Sequence, residues 1–355
     1  MATDDISAAV EELAGLFGLK EGVAWEDYLH LLANKDAQGC VQRIALQLGL
    51  PVAIELSYVS KRPLAGHAPA FETEALARTD WTGRPMEGIV AQVAVPKSIP
   101  KYGTAALIGY PIRVRVGEEC LEYPTTFIWV LAHELSHVLL VCAMHPGKEC
   151  EYYADIVPLL LGFCDLAREG RKAERATPMG SFAGVCSTTY GYLTDSQFAV
   201  AYCKVKSLIE SRQRQRSGLL TQVAQVRRKL LNARRKLRRF REFLQHLDAR
   251  PPQDVRPNEA LRIVSFHALN YTDGWETAIA RTERTVADAD ACATALTHYT
   301  GEAVERANGF AYGLSRASQD LEQLSTAIEH DLRILRRHVG FLRRALAALS
   351  LKREL

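Results

Sequence analysis

The sequence predicts an α+β protein in two parts: helices and a small sheet over residues 1–203, then a long α-helical region over 204–355. Three observations carry this reading. In the first 203 residues, short β-branched runs alternate with helical patterns. From about residue 204 the strand signals stop and apolar residues settle into a repeat of three and four. The charge changes with the texture. Residues 1–203 hold 16 Lys/Arg against 24 Asp/Glu, residues 204–250 hold 15 against 3, and residues 251–355 hold 13 against 14. The near-neutral total of +3 thus averages over parts of −8, +12 and −1.

Length and composition set the outer bounds. A chain of 355 residues exceeds the ~250–300 at which single cores stop growing, so two domains are expected. Apolar residues at 48% and charged residues at 24% are ordinary for a globular chain, which excludes wholesale disorder and collagen-like repeats. The N-terminus MATDDISAAVEELAG carries early acids and no basic segment before an apolar run, so it does not read as a secretory signal. No uninterrupted apolar run reaches the ~18 residues of a membrane span. Eight cysteines are scattered without a CxxC pair, the pattern of reduced thiols in a cytoplasm.

The elements follow in order. Helical periodicity covers Ile6–Phe17, Trp25–Asn34 and Gln38–Leu48, the last stopped by Gly49 and Pro51. Val52–Val59 alternates like a strand, and 60–88, rich in Gly, Pro and charge, reads as loop. Ile89–Pro96 and Ala105–Val116 read as a strand pair. A helix then starts after Pro124, with Thr125 or Thr126 as cap, and stops before Pro146-Gly147.

Beyond 204 one seam runs through Leu219, Val223, Val226, Leu230, Ala233, Leu237, Phe240, Leu244 and Leu247. Such a seam is the mark of a coiled coil, and a helix over 204–249 would be about 70 Å long at 1.5 Å per residue. PPQDVRP at 251–257 ends it. A second seam passes through Ala307, Phe310, Leu314, Ala317, Leu321, Leu324, Ile328, Leu335, Leu342 and Leu349, traceable back towards Trp275, with a break expected near Gly301. Since 302–349 matches 204–249 in length, an antiparallel coiled-coil hairpin is expected. Pairing of two copies into a dimer is the competing arrangement.

The chemistry is concentrated in LAHELSHVLL at 131–140. His133 and His137 lie four apart and so project from one helix face, one turn apart. Two imidazoles so placed can share a Zn²⁺. Glu134 follows about 100° around the helix, where it can take a proton from a water. An apolar helix does not bury three ionisable groups without partners, because each desolvation is costly. Downstream, KECEYYADIVPLLLGF offers Glu151 as a third ligand and Asp155, one turn later, as an acceptor orienting His133. Glu149, His145 and Cys150 are alternative third ligands in the same stretch, and Pro158 interrupts the second helix.

HELSH followed by Glu151-Tyr152-Tyr153-Ala154-Asp155 resembles the gluzincin metallopeptidases, and most closely the intracellular ImmA/IrrE-like proteins of bacteria. The resemblance covers roughly residues 38–165, and it lies in those two motifs. It implies a zincin-like fold and a zinc endopeptidase cleaving a protein substrate through a metal-activated water, with Glu134 as general base. It also implies a regulatory cleavage role and an extended substrate pairing along the strand at 107–116. Tyr190 and Tyr192 in TTYGYLTD are candidates for the oxyanion donor.

The basic arm has its own chemistry. Arg227, Arg228, Lys229, Arg234, Arg235, Lys236, Arg238 and Arg239 surround the seam without acids of alternating sign. A face of one sign fits an acidic protein partner, an acidic surface of the same chain, or a nucleic acid backbone. No aromatics interleave it, so base stacking is not expected. The arm would then serve recognition or regulation of the enzyme. The other class of function is a non-enzymatic coiled-coil protein that binds nucleic acid or a partner and carries a structural zinc. Glu134 would have no task in that class.

Overall fold

The computed structural model describes residues 3–59, 71–72, 78–79, 91–179, 182–248, 259–295 and 301–351. It is an α+β fold whose later part is long helices. Contacts divide the chain into two compact units, one of Met1–Arg212 with Thr297–Gly301 and one of Gln213–Leu296 with Glu302–Leu355.

The first unit begins with α1 (Thr3–Phe17), α2 (Trp25–Ala33) and α3 (Ala37–Gln47). Asp36 caps α3, its carboxylate accepting from the Gly39 amide at 2.8 Å. Strand β1 (Ala53–Val59) follows, and two glutamines of α3 bond its backbone. The Gln38 amide donates to Ile54 O and accepts from Leu56 N, while Gln42 does the same for Val52 O and Ile54 N. Most of 60–88 lies outside the described residues, apart from β2 (Phe71–Glu72) and β3 (Arg78–Thr79).

Strands β4 (Ala91–Val95) and β5 (Pro111–Gly117) complete a four-stranded sheet in the order β1-β5-β4-β2. The expected strand at 105–116 is shorter. Local bonds from Leu107 N to Thr104 O and Ile108 N to Ala105 O close a tight turn, and pairing begins only at Pro111. β5 is parallel to β1 and antiparallel to β4, so both its flanks are occupied. The expectation that an extended substrate pairs along 107–116 is therefore wrong. A strand interior to a sheet has no open amides to offer.

Helix α4 (Pro124–Cys142) starts one or two residues before the expected threonine caps. Pro124 occupies its first position, where a fixed φ and a missing N–H cost nothing, and the Phe127 amide bonds Tyr123 O. Every residue from Thr126 to Leu140 is buried. α4 is long and apolar enough by composition to cross a membrane, yet it is the central helix of this core, packed against α3 and β4. It also packs against α5 (Glu151–Pro158) and α6 (Cys164–Gly170). Between these two helices the chain kinks after Pro158, and Gly162 at φ 105° lets it turn. A Cβ there would sit 2.7 Å from Glu21 O.

The hairpin of β6 (Lys172–Met179) and β7 (Phe182–Tyr190), joined by β3, makes a second sheet that the sequence reading missed. Helix α7 (Asp195–Asp248) starts nine residues before the expected 204. The start is a capping box in Thr194-Asp195-Ser196-Gln197: Thr194 N donates to Gln197 Oε1 at 2.9 Å and Gln197 N to Thr194 Oγ1 at 3.3 Å. Ala201, Val205 and Ile209 of α7 belong to the core of the first unit.

In the second unit α7 shares one apolar core with α8 (Glu259–Ala295) and α9 (Gly301–Leu351). The seam residues Val223, Val226, Leu230, Ala233, Leu237, Phe240 and Leu244 are all buried there. Residues 251–257 and 296–300 lie outside the described residues. The expected pairing is corrected in two respects. The stretch before Gly301 is itself a long helix, with Thr272, Trp275, Ile279, Thr282, Val286, Ala289 and Ala293 buried three and four apart. The ion pairs also fix direction. Arg227, Arg234 and Arg241 meet Asp290, Glu283 and Glu276, so α8 runs antiparallel to α7. Lys229 and Lys236 meet Glu322 and Glu329, so α9 runs parallel to α7 and the two form no antiparallel hairpin.

Candidate metal centre

Helix α4 presents His133 and His137 one turn apart, their rings 5.1 Å between centroids. Both side chains are fully buried. The first turn of α5 brings in Glu151, whose Oε2 lies 3.1 Å from His133 Nε2 and 3.1 Å from His137 Nε2. Two nitrogens at 2.0–2.1 Å from a tetrahedral Zn²⁺ would be about 3.3 Å apart. The three ligand atoms all lie within 4.8 Å of one another, so this group could hold a metal ion. Exposure within it is confined to Glu151, at 21%.

The outer ring nitrogens fix the tautomers. His133 Nδ1 faces Asp155 Oδ1 at 2.8 Å, and His137 Nδ1 faces the Lys148 carbonyl at 3.2 Å. Both partners accept, so both Nδ1 atoms carry a hydrogen, which leaves Nε2, the atom facing Glu151, as the one each ring can offer to a metal. Two ring nitrogens and a carboxylate oxygen converging in a buried space need a cation among them, either a proton or a metal ion. The charges agree. Burial opposes a charged His133, but the bonds from Asp155 and Glu151 and the charges of Asp155 and Glu134 outweigh it, raising its pKa to about 10. Burial likewise opposes ionised Glu151, yet its bonds to His133 and His137 lower its pKa to about 2. The group favours positive charge.

Asp155 is held in turn. Its Oδ2 accepts the amides of Tyr192 at 2.6 Å and Leu193 at 2.9 Å. Gly191 stands at φ 107°, where a Cβ would lie 3.0 Å from Asp155 Oδ1. Arg171, buried, donates to Leu193 O at 2.5 Å and Asp195 Oδ1 at 2.9 Å, and stacks on Phe198. A chain of bonds thus runs from Arg171 through the Leu193 backbone and Asp155 to His133. The Tyr190-Gly191-Tyr192 turn, read from the sequence as a source of oxyanion donors, is built as a cradle for Asp155.

The structure brings together His133, His137, Glu151, Asp155 and Tyr192, whose ring stacks on His133 at 5.7 Å and 21°. Glu134 is fully buried beside them. Tyr190 lies in the core at the end of β7, its carbonyl accepting from the Trp129 indole at 3.3 Å. Of the alternative ligands, His145 spends both ring nitrogens elsewhere, on Glu12 Oε1 and the Gly147 amide. Glu149 is exposed, and Cys150 sits at the N-cap of α5.

The arm residues lie on α7 in the second unit. Arg227, Lys229, Arg234 and Lys236 are engaged by acids of α8 and α9, whereas Arg228, Arg235, Arg238 and Arg239 face solvent. Four of the eight thus meet acids of the same chain, one of the arrangements the sequence allowed, and those acids stand on neighbouring helices. No known protein family, curated protein or solved structure matches this chain. The class defined by the site alone is a chain with a buried His-His-Glu group that could take a metal ion.

Proposed function

We propose that the first unit is a zincin-like, zinc-dependent endopeptidase acting on a protein substrate, akin to the gluzincins of the ImmA/IrrE type. The single observation supporting this is the convergence of His133 Nε2 and His137 Nε2 on Glu151 Oε2, with Glu134 next in sequence on the same buried helix. Zn²⁺ held by these three residues supplies Lewis acidity for amide hydrolysis. Glu134 receives the proton of the attacking water on its carboxylate and passes it to the departing amine. Asp155 and Lys148 O keep the two imidazoles in the ligating tautomer. Tyr192, stacked on His133, is the better placed candidate for the oxyanion donor. The described cysteines are free, which fits a reducing cytoplasm. The second unit is a three-helix coiled coil that serves recognition or regulation.

A structural zinc site would close its fourth position with another cysteine or histidine. Among the described residues the group has three members and no fourth. Glu134→Gln separates the two readings. The variant should keep its metal and lose cleavage, scored as new protein N-termini in cells expressing the active chain but not the variant. Equal cleavage by both forms would defeat the peptidase reading.

A further inference from the structure

We infer that the second unit carries a groove for the phosphodiester backbone of nucleic acid, formed between the parallel helices α7 and α9. The groove has a volume of about 680 Å³, and Lys236, Arg239, Arg333, Arg336 and Arg337 line it. The one acid among its described lining residues, Glu329, is engaged by Lys236 and also feels the charge of Arg333. Arg239, Arg333, Arg336 and Arg337 are exposed, and Arg336 lies over the Phe243 ring at 6.0 Å. The inference is independent of the metal centre.

The sequence placed the polyanion-binding charge on α7 alone, yet half of that charge is consumed inside the bundle. Arg227 and Arg234 satisfy α8, and Lys229 and Lys236 satisfy α9. Of what remains outward on α7, Arg239 lines the groove beside the arginines that α9 contributes, while Arg228, Arg235 and Arg238 are exposed along the same helix. Residues 228 to 239 span about 16 Å at 1.5 Å per residue. At one phosphate per ~3.4 Å of duplex axis on each strand, a row of that length is matched by several phosphates and not by one. A row suits a strand better than a single phosphate.

The outward cations of this face are all arginines, whose planar fork takes two oxygens of one phosphate. Among the described residues no aromatic side chain lines the groove, so contact is with the backbone and carries no sequence preference.

The test uses the full chain and fluorescence anisotropy with labelled 30-nucleotide single-stranded and duplex probes across a salt series. Binding is expected at 50 mM salt, insensitive to sequence and weakening steeply with salt. In Arg239→Gln/Arg333→Gln/Arg337→Gln the slope of log K against log salt should flatten by about 2–3, at ~0.7–0.9 per lost phosphate contact. Arg113→Gln, in the first unit, should leave the slope unchanged. If the triple variant unfolds by circular dichroism, Arg239→Gln and Arg337→Gln singly should each flatten it by about 0.7–0.9. Four results overturn the inference: no binding at 50 mM salt, an unchanged slope in the folded variants, tighter binding of polyglutamate than of either probe, or full displacement by low-millimolar inorganic phosphate.

Discussion

Asp155 Oδ1 lies 2.8 Å from His133 Nδ1, and the other oxygen of Asp155 holds the Tyr192 and Leu193 amides. The carboxylate is therefore an acceptor on every side. Asp155→Asn conserves shape but must turn its NH₂ either to the ring nitrogen or to two N–H groups. If it faces the ring, the hydrogen moves to His133 Nε2 and blocks the ligating atom. Metal affinity should fall by about 10–100-fold, as chelator competition would measure. Unchanged affinity would show that His133 needs no orientation.

Two glycines should respond to alanine in opposite senses. Gly191→Ala puts a Cβ 3.0 Å from Asp155 at a φ of 107°, and it should destabilise the fold by about 1–3 kcal/mol. Gly218 lies exposed within α7 with nothing within 4 Å of an added Cβ. Alanine there should stabilise by about 0.5–1 kcal/mol. Denaturant titration of both variants measures the pair.

Phe240→Ala probes the second core. The ring is 1% exposed and meets Trp275 edge-on at 5.3 Å between centroids. Loss of about 3–5 kcal/mol is expected in the unfolding of the helical unit. A loss under about 1 kcal/mol would mean that α8 does not pack there.

Helix direction is testable through charge. A double-mutant cycle on Arg234 and Glu283 should return coupling of about 0.2–1 kcal/mol, the range of partly exposed pairs. No coupling is expected between Arg234 and Glu322, because Glu322 is engaged by Lys229. The reverse outcome would exchange the neighbours of α7.

Much of the first unit's site was legible because its signals are local. HELSH places two candidate ligands by helix geometry, and Glu151 and Asp155 lie one turn apart from each other downstream. The misses are of another kind. The sheet order that buries β5 is set by pairing between residues far apart in sequence, such as Ala53 with Pro111. No local pattern reports it. The α9 direction fails for a similar reason: a 3-4 seam is the same read either way, and only the Lys229 and Lys236 partners distinguish the two. By contrast, the start of α7 was written in Thr194–Gln197 and went unread. Trp275 and Ile279 did signal α8, but threonines at 272 and 282 diluted its seam.

The central claim is that His133, His137 and Glu151 hold one metal ion, and elemental analysis tests it most directly. Full-length protein reconstituted with zinc and desalted should retain about one ion per chain. His137→Ala and Glu151→Ala should lose it, and Glu149→Ala should keep it. A reconstituted wild-type chain without bound metal, or a Glu151→Ala chain that retains a full equivalent, would contradict the account.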